Sequence, residues 1–429
     1  MPGRGLGAVC VETVAVEDNK WNMVKEVTIR NYKSVYSAFL ELGRINVFIG
    51  PNGAGKSNLL EAVAMFTAEQ AGTIRVEDLI GKGVRIAKPD LTVGSFYGRQ
   101  SSKTIEGSLK GDVAGKLYNK IYKLVCEDWE NGYSDWINEY RNHPLMNIEH
   151  FIRNSVLLGG TLKDSLRDTS AGSVEGCRNS LNTFKSLERT FEIKENKRTP
   201  MSNYTEIARK HLSNFLVYSP ATAALRGFTN ESKKQPLGLY GEGLDLLIAA
   251  FGEEEQNRLM EYGCRYIDWL KHLLVKEDDQ LVSDGHRLSR SNSALFFIDR
   301  LMLKKNSLLS VEHVDEGSLR LLFYLALFIS SETPSFFAVE NIDSGLSPHI
   351  CSRLLKDLTD LSVLTDKQAL ITTHNPALLD GLDMENPENA LFYVCRAEDG
   401  QTEVKKLHFT QQELITSSLS ARWISGEFD

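Results

Sequence analysis

INVFIGPNGAGKSNLLEAVAMFT, residues 45–67, is the stretch that decides the fold. Residues 45–49 form a continuous apolar run of strand length, and residues 57–67 place apolar side chains along one helical side. Between them, residues 50–57 satisfy the pattern GxxxxGK followed by Ser or Thr. The stretch therefore predicts a buried strand, a glycine-rich loop and a helix, in that order.

The glycine-rich loop has the chemistry of a phosphate-binding loop. Its glycines let backbone N–H groups wrap phosphate oxygens, and the start of the following helix adds positive potential. In this pattern Lys56 reaches the β- and γ-phosphates of a nucleotide, and the hydroxyl of Ser57 coordinates Mg²⁺. A chance glycine-rich turn is the alternative, and the agreement of pattern and context disfavours it. The nucleotide-binding residues that we expect here are Gly50, Pro51, Asn52, Gly53, Ala54, Gly55, Lys56, Ser57 and Asn58.

Two further polar residues follow apolar strands. Glu340 ends the run FFAV at 336–339, where a buried strand aims its carboxylate at Mg²⁺ directly or through water. The alternative is an acid that caps the next turn. His374 follows the run ALITT at 369–373, and at that strand end it would hydrogen-bond the γ-phosphate. A lone histidine is more often structural, so this role depends on the phosphate-binding loop in the same chain.

The remaining pattern is that of an α/β fold. Strands separated by helices at this spacing predict a largely parallel sheet with its ligand at the carboxyl ends of the strands. The further predicted elements are strands at 24–32 and 37–42, a buried helix at 318–330, a helix starting after Ser347, a hairpin of 391–396 with 402–407, and a last helix at 410–419.

The chain divides into four parts. Residues 1–22 lack periodicity and are expected to be a flexible leader. Residues 23–110 and 305–429 are expected to form the two parts of one nucleotide-binding head. Residues 111–304 are expected to be a mostly helical insertion, with helical-looking stretches such as 115–129 and 252–275.

Composition excludes several classes of protein. The 429 residues are 42% hydrophobic with only 11 prolines, which excludes a disordered or fibrous chain. The longest apolar run, 321–329, is about half of the ~20 residues that a bilayer needs, so no membrane span is expected. The six cysteines form no CxxC pair. We expect a reduced, cytoplasmic protein.

Charge is uneven along the chain, although the total is −8. Residues 1–110 carry +3, residues 111–304 carry −1 and residues 305–429 carry −10. Within 82–110, six basic residues against two acids would meet nucleic acid or an acidic partner. An ordinary solvated face is the alternative. The six basic residues are Lys82, Arg85, Lys88, Arg99, Lys103 and Lys110.

Several of these segments resemble one known group of proteins. VKEVTIRNYKSVYSAFLELGRINVFIGPNGAGKSNLLEAV at 24–63, AVENIDSGLSP at 338–348 and ITTHNPALLD at 371–380 resemble ABC-type ATPases of the SMC, RecF and OLD group. Within that group they are similar to the stand-alone AAA-like ATPases of bacterial anti-phage defence, of the Septu-like or retron-associated kind. Residues 217–247 also resemble a family segment, to which we assign no chemistry.

The resemblance implies that ATP and Mg²⁺ are bound between two protomers, so that the protein is a homodimer or a higher even oligomer. The partner would contribute a signature loop at a helix N-terminus, here Glu316, Gly317 and Ser318, with Gly317 and Ser318 as donors to the γ-phosphate. It also places Asp343 in the D-loop, at the nucleotide.

Two residues depart from the family pattern. Asn341 stands where the group has a glutamate that polarises the attacking water, and an amide cannot take a proton. Asp315 stands at the serine position of the signature, where a carboxylate would repel phosphate unless it is turned away. General-base catalysis contributes roughly 10²–10⁴-fold, so we expect slow hydrolysis, with Asp343 as the alternative base.

The leading functional hypothesis is an ATP-binding sensor or scaffold of phage defence that controls a separate HNH-type nuclease. After His374 only 55 residues follow, too few for the Toprim nuclease domain of OLD-type enzymes. The alternative is a RecF-like repair ATPase that clamps DNA, with 82–110 as the contact. A nucleotide-regulated protein without nucleic-acid contact is a third reading.

Overall fold

The structure is a computed structural model. It describes residues 22–69, 72–96, 102–113, 115–142, 208–228, 236–275, 282–283, 286–287 and 293–428.

Seventeen strands are described within these ranges. They are β1 Met23–Tyr32, β2 Val35–Glu41, β3 Ile45–Ile49, β4 Thr73–Ile74, β5 Thr104–Val113, β6 Lys116–Cys126, β7 Trp136–Asn138, β8 Val217–Tyr218, β9 Leu270–Val275, β10 Val282–Ser283, β11 His286–Arg287, β12 Leu295–Asp299, β13 Leu308–Ser310, β14 Phe336–Val339, β15 Gln368–Thr372, β16 Asn389–Arg396 and β17 Thr402–Leu407. The helices with defined bounds are α1 Lys56–Thr67, α2 Val76–Gly81, α3 Pro89–Thr92, α4 Thr222–Leu225, α5 Leu244–Ala249, α6 Glu253–Cys264, α7 Glu316–Ile329, α8 Pro348–Leu364, α9 Gln411–Thr416 and α10 Leu419–Ile424.

The strand that enters the glycine-rich loop lies in the middle of a six-stranded sheet, ordered β17-β16-β3-β15-β14-β8. All neighbours pair in parallel except β16 and β17, which form an antiparallel hairpin at the edge. We call this the core sheet. Since strands of a parallel sheet end at the same edge, the segments after β3, β14 and β15 converge there.

A second six-stranded sheet, ordered β2-β1-β5-β6-β7-β4, is antiparallel throughout. The prediction of a mostly parallel sheet is therefore right for the core sheet and wrong for this one. The stretch 115–129, predicted to be helical, is strand β6 of this sheet. Its buried positions, Tyr118, Tyr122, Leu124 and Cys126, fall on even residues, which is the period of a strand.

Helix α1 lies between the two sheets. Ten of its twelve residues are buried, and these include the polar residues Lys56, Glu61 and Thr67, so burial extends beyond the one apolar side that the sequence predicted. Side chains of the core sheet alternate between two cores. Val47 and Ile49 pack against α7 and α8 on one face, whereas Phe48 packs against α1 on the other. Both faces of the core sheet are thus covered, which is the usual condition of a parallel sheet.

Most of the other predicted elements are present. Strands β1, β2, β3, β14 and β15, helix α7 and the β16–β17 hairpin confirm the pattern within one or two residues. Helix α8 begins after Ser347, whose hydroxyl accepts the Ile350 N–H. Residues 410–419, predicted as one helix, belong to the two short helices α9 and α10, and residues 252–275 form α6 followed by strand β9.

The domain division stays a prediction. The leader lies outside the described residues except for its last residue, and all of residues 143–207 in the insertion lie outside them as well. Where the insertion is described it holds strands as well as helices, among them β9 and β12, which form a three-stranded sheet with β13 of the C-terminal part in the order β13-β12-β9. Strand β5 crosses the expected boundary at 110. Within the described ranges, no helix is both long and apolar enough to span a bilayer.

Candidate functional site

The glycine-rich loop has a backbone that only glycine adopts readily. Gly50, Gly53 and Gly55 have φ angles of 135°, 77° and 108°, in the left-handed region. Space is also short, because a Cβ on Gly50 would lie 1.9 Å from the carbonyl oxygen of Val394 in the neighbouring strand. The loop between β3 and α1 is therefore set by both conformation and packing.

Lys56 folds back over this loop. Its Nζ donates to the carbonyl oxygens of Gly50 (2.7 Å) and Pro51 (3.0 Å), and the residue is 5% exposed. Burial lowers the pKa of Lys56 to about 8, and the negative charge of Asp343 partly opposes this shift. The ammonium is thus held over the loop, in position for a phosphate to compete for it.

Glu340 follows β14 at the same edge of the core sheet. Its Oε1 is buried and has no hydrogen-bond partner among the described residues. A buried carboxylate oxygen without a partner is costly unless a ligand satisfies it. This supports the prediction of a metal acid over that of a turn cap.

The residues fit Mg²⁺ bound with a nucleotide. Such an ion takes one or two protein oxygens and fills its other positions with phosphate and water. Ser57 at the start of α1 and the unpartnered oxygen of Glu340 are donors of this kind. Among the described residues no group of three or more His, Cys, Asp and Glu side chains forms a metal site by itself, and a nucleotide-held ion needs none.

The segment after Glu340 is tied to the segment after β15. Asp343 Oδ1 accepts from the hydroxyl of Thr373 (2.7 Å) and from the backbone N–H of His374 (3.2 Å). His374 lies at the surface with part of its ring covered by neighbouring groups. This partial desolvation, together with the positive charge of Lys56, lowers the pKa of His374. Lys56, Asp343 and His374 therefore interact electrostatically, as expected for residues around one phosphate.

Asn341 has a φ of 49°, a conformation that asparagine tolerates better than most residues. Its backbone N–H donates to the hydroxyl of Thr372 at 2.9 Å. The side chain is exposed at the edge of the core sheet. An amide rather than a carboxylate thus occupies the position beside Glu340.

The predicted signature loop begins helix α7. Asp315 is the N-cap, and its carboxylate accepts from both the N–H and the hydroxyl of Ser318. Glu316 pairs with Arg320, and hydrogen bonds from Thr222 and Arg320 lower the pKa of Glu316. Both donors of Ser318 that were expected to meet a phosphate are therefore bonded within the chain.

A charged cluster flanks the glycine-rich loop, and the sequence did not single it out as a unit. Glu61 on α1 is 1% exposed and accepts from Lys33 and from Arg85, the latter at 2.5 Å. Arg85 also donates to Asn58 Oδ1 at 3.3 Å. Asn58, expected at the nucleotide, thus has its side chain turned to this cluster. Nothing in the sequence spacing links residues 33, 61 and 85.

The described basic residues of 82–110 do not share one environment. Lys82 is buried and donates to the carbonyl oxygens of Ser213 and Phe215, and burial lowers its pKa to about 7. Lys110 pairs with Glu26, and Lys103 lies over the ring of Trp129. Arg99 lies outside the described residues. Part of the positive charge on which the predicted nucleic-acid contact depends is therefore buried or paired within the chain.

Comparisons with known proteins agree with this arrangement. The family model described as "AAA ATPase domain" matches residues 23–235. A second model, described as "AAA domain, putative AbiEii toxin, Type IV TA system", matches residues 274–380. The two matches include the glycine-rich loop, Glu340 and His374.

Two curated proteins are similar over part of the chain. An uncharacterised protein of Methanocaldococcus jannaschii is 31% identical over 138 residues, which are 28% of this chain and 60% of that protein. The chromosome partition protein Smc of Desulfitobacterium hafniense is 36% identical over 72 residues, 15% of this chain and 6% of that protein. In both cases the match spans less than two thirds of the relative.

One solved structure shows the fold. The head of Smc bound to the C-terminal winged-helix domain of ScpA superposes with a TM-score of 0.51 at 13% identity, and the match covers 91% of this chain and 98% of that one. At this identity the likeness concerns the fold.

Proposed function

We propose that this chain, an ATPase of the AAA/SMC type, binds ATP with Mg²⁺ at the edge of the core sheet and uses it mainly as a ligand for conformational change and assembly. One observation carries the proposal. The glycine-rich loop with Lys56 and the unpartnered oxygen of Glu340 meet at one sheet edge, while Asn341 stands beside them in place of a base.

In this proposal the loop N–H groups hold the phosphates and Lys56 exchanges its loop carbonyls for phosphate oxygens. Ser57 and Glu340 hold Mg²⁺, which neutralises phosphate charge. His374 lies within electrostatic reach of Lys56, and the backbone of His374 is fixed by Asp343. A neutral histidine there donates a hydrogen bond to the γ-phosphate without adding charge.

Slow hydrolysis follows from the groups around the water that would attack. Asn341 orients water but takes no proton. Asp343, the alternative base, already accepts two hydrogen bonds through Oδ1, so one of its two carboxylate oxygens is occupied within the chain. ATP would consequently stay bound without being hydrolysed quickly, and its binding would itself be the signal.

Dimerisation is the second part of the proposal. In this fold family the signature loop of a partner completes the site, and the start of α7 is the matching surface here. Gly317 packs so closely against the D-loop that a Cβ would lie 2.8 Å from the Gly345 carbonyl oxygen. The signature loop and the D-loop would therefore move together when a partner docks.

The biological role that we propose is a sensor or scaffold in bacterial phage defence, acting with a separate HNH-type nuclease. Its support is the match of 274–380 to the family model described as "AAA domain, putative AbiEii toxin, Type IV TA system". Affinity purification from the native operon with and without ATP tests it. Recovery of a nuclease only with ATP supports the role, and recovery of no nuclease in either condition contradicts it.

A RecF-like DNA clamp is the second candidate, and the 72-residue match to Smc favours it. Arg85 and Lys88 are the exposed basic residues of 82–96 on which it depends. Salt-dependent duplex binding that is lost on charge reversal of both residues would support the clamp. Duplex binding unaffected by the reversal would exclude this surface.

ATP binding itself is tested by titration calorimetry with Lys56→Ala. We expect the variant to lose detectable binding. Lys367→Met is a matched control, because Lys367 is also buried, donates to backbone carbonyls and has a pKa lowered to about 8 by burial, but lies away from the loop. If the wild type hydrolyses ATP at tens per second and Lys56→Ala abolishes this activity, the proposal of slow hydrolysis is wrong.

A further inference from the structure

Thr402 touches the glycine-rich loop from a distant part of the chain. It begins β17, is 2% exposed, and its hydroxyl donates to the carbonyl oxygen of Ala54 at 2.8 Å. The same hydroxyl lies 2.7 Å from the hydroxyl of Ser34, and the backbone N–H of Thr402 donates to the Ser34 carbonyl oxygen at 2.7 Å. Ser34 lies in the turn between β1 and β2.

Counting protons gives these bonds a direction. A threonine hydroxyl has one proton, and Thr402 gives it to Ala54, so Ser34 must be the donor in the pair of hydroxyls. Ser34 in turn accepts from the side-chain amide of Asn58 at 2.7 Å, and that nitrogen is only a donor. The bonds therefore form one chain from Asn58 through Ser34 and Thr402 to Ala54, in which each bond polarises the next. We call it the Thr402 chain.

The end of the Thr402 chain orients one peptide of the loop. The carbonyl oxygen of Ala54 and the N–H of Gly55 belong to the same trans peptide, so they point in opposite directions. Holding the oxygen toward Thr402 turns the Gly55 N–H to the other side. Gly55 packs closely against Thr402, since a Cβ at Gly55 would lie 2.1 Å from the Thr402 hydroxyl oxygen.

The Thr402 chain also borders a cavity. Ser34 and Asn58 line an open cavity of about 520 Å³ whose other walls include Arg85, Arg396 at the end of β16 and Asp399 in the β16–β17 turn. A cavity of this size accommodates a nucleoside-sized group. The β16–β17 hairpin thus contacts both the cavity and the loop.

We propose that Thr402 is a positioning residue for nucleotide binding: through its hydroxyl, the C-terminal hairpin fixes the Ala54–Gly55 peptide with its N–H on the phosphate side. The inference rests on the proposed function and adds a residue outside all the segments of the nucleotide motif. Phosphate binding needs N–H groups that already point at the ligand, because turning a peptide at the moment of binding costs affinity.

The test is the affinity of the full chain for Mg-ATP, measured by titration calorimetry. Thr402→Val keeps the shape and removes the hydroxyl, and we expect affinity to fall roughly tenfold. Thr402→Ser keeps the hydroxyl, and we expect it to stay within about threefold of the wild type. If Thr402→Val does not fold, Thr402→Ala removes the same hydroxyl with a smaller side chain and carries the same expectation.

Thr359→Val is the matched control. Thr359 is buried and its hydroxyl donates to a carbonyl oxygen within helix α8, so the variant loses a similar bond away from the loop. A similar loss of affinity in the control and in Thr402→Val, or binding by Thr402→Val within twofold of the wild type, overturns the inference. If Lys56→Ala binds Mg-ATP as tightly as the wild type does, the proposed function is wrong as well.

Discussion

Asp315 closes the N-terminus of helix α7 on Ser318 with both carboxylate oxygens: Oδ1 accepts the Ser318 N–H at 2.8 Å, and Oδ2 accepts the Ser318 hydroxyl at 2.7 Å. The carboxylate therefore occupies the place at which a helix start would otherwise offer donors to a phosphate. The repulsion expected from Asp315 is thus accompanied by direct competition for the donors.

Removing this carboxylate should strengthen ATP-dependent assembly. In Asp315→Ala the donors of Ser318 become free for a partner's γ-phosphate, at a cost of about 1 kcal/mol for the lost N-cap. Analytical ultracentrifugation with and without ATP measures the fraction of the protein that sediments as the proposed dimer. Ser347→Ala removes the N-cap of α8 and is the control that should leave assembly unchanged. Weaker assembly of Asp315→Ala would show that the carboxylate supports the interface.

Restoring a carboxylate beside Glu340 should speed hydrolysis. We expect Asn341→Glu to raise the turnover rate by roughly 10²-fold, at the lower end of general-base contributions. The φ of 49° makes glutamate less favourable there by about 1 kcal/mol, so a modest loss of stability should accompany the gain. Phosphate release under saturating ATP measures turnover, and Asn341→Gln is the control without a base. Equal rates in the two variants would contradict the assigned cause of slow turnover.

Two glycines of the loop should respond differently to alanine. Gly55→Ala places a methyl group against the Thr402 hydroxyl oxygen, whereas at Gly53 a Cβ meets nothing within 4 Å. Both variants carry the strain of a positive φ, about 1 kcal/mol. We expect Gly55→Ala to lose considerably more ATP affinity than Gly53→Ala in the same titration. The reverse order would argue that packing does not determine the loop conformation.

Nucleotide binding should be linked to a proton on Lys56. Burial lowers the pKa of Lys56 to about 8, so its charged form predominates at pH 7 and is lost as the pH rises above 8. A bound phosphate raises that pKa again, so binding near pH 8 should take up a proton and affinity should fall between pH 7 and 9. Calorimetry in buffers of different ionisation enthalpy measures the uptake. The assignment fails if affinity does not change over this range.

The fold should depend on one buried arginine far from the nucleotide. Arg44 is 1% exposed and donates to the backbone carbonyls of Ser362 and Lys367 and to Glu388. Arg44→Leu removes one donor from each of these carbonyls, although Ser362 keeps the N–H of Lys367, and it leaves Glu388 without its buried partner. We expect the free energy of unfolding to fall by about 3 kcal/mol. Urea unfolding measures it. Arg75→Leu is the control at an exposed ion pair, and we expect no measurable change in its free energy of unfolding.

Local patterns account for most of the core sheet. The apolar runs of β3 and β14 and the buried helix α7 were predictable because each is covered on all sides, which leaves a continuous apolar signal. Strand β6 was missed because its apolar and polar residues do not alternate cleanly: its outward positions include Leu117, Ile121 and Val125, and the stretch also fits helical spacing. Its pairing with β5, which the local pattern does not contain, decides for the strand.

The sequence by itself determined the phosphate-binding loop, its strand and helix, and the positions of Glu340, Asn341 and His374 at strand ends. These features depend on residues close together in the chain. Only the tertiary structure decided that Lys82 is buried and that Thr402 holds Ala54. A hydrogen bond acts over about 3 Å of space, and the one from Thr402 to Ala54 joins residues 348 positions apart. Spacing along the chain therefore does not predict such a contact, which forms only when the two sheets enclose the loop.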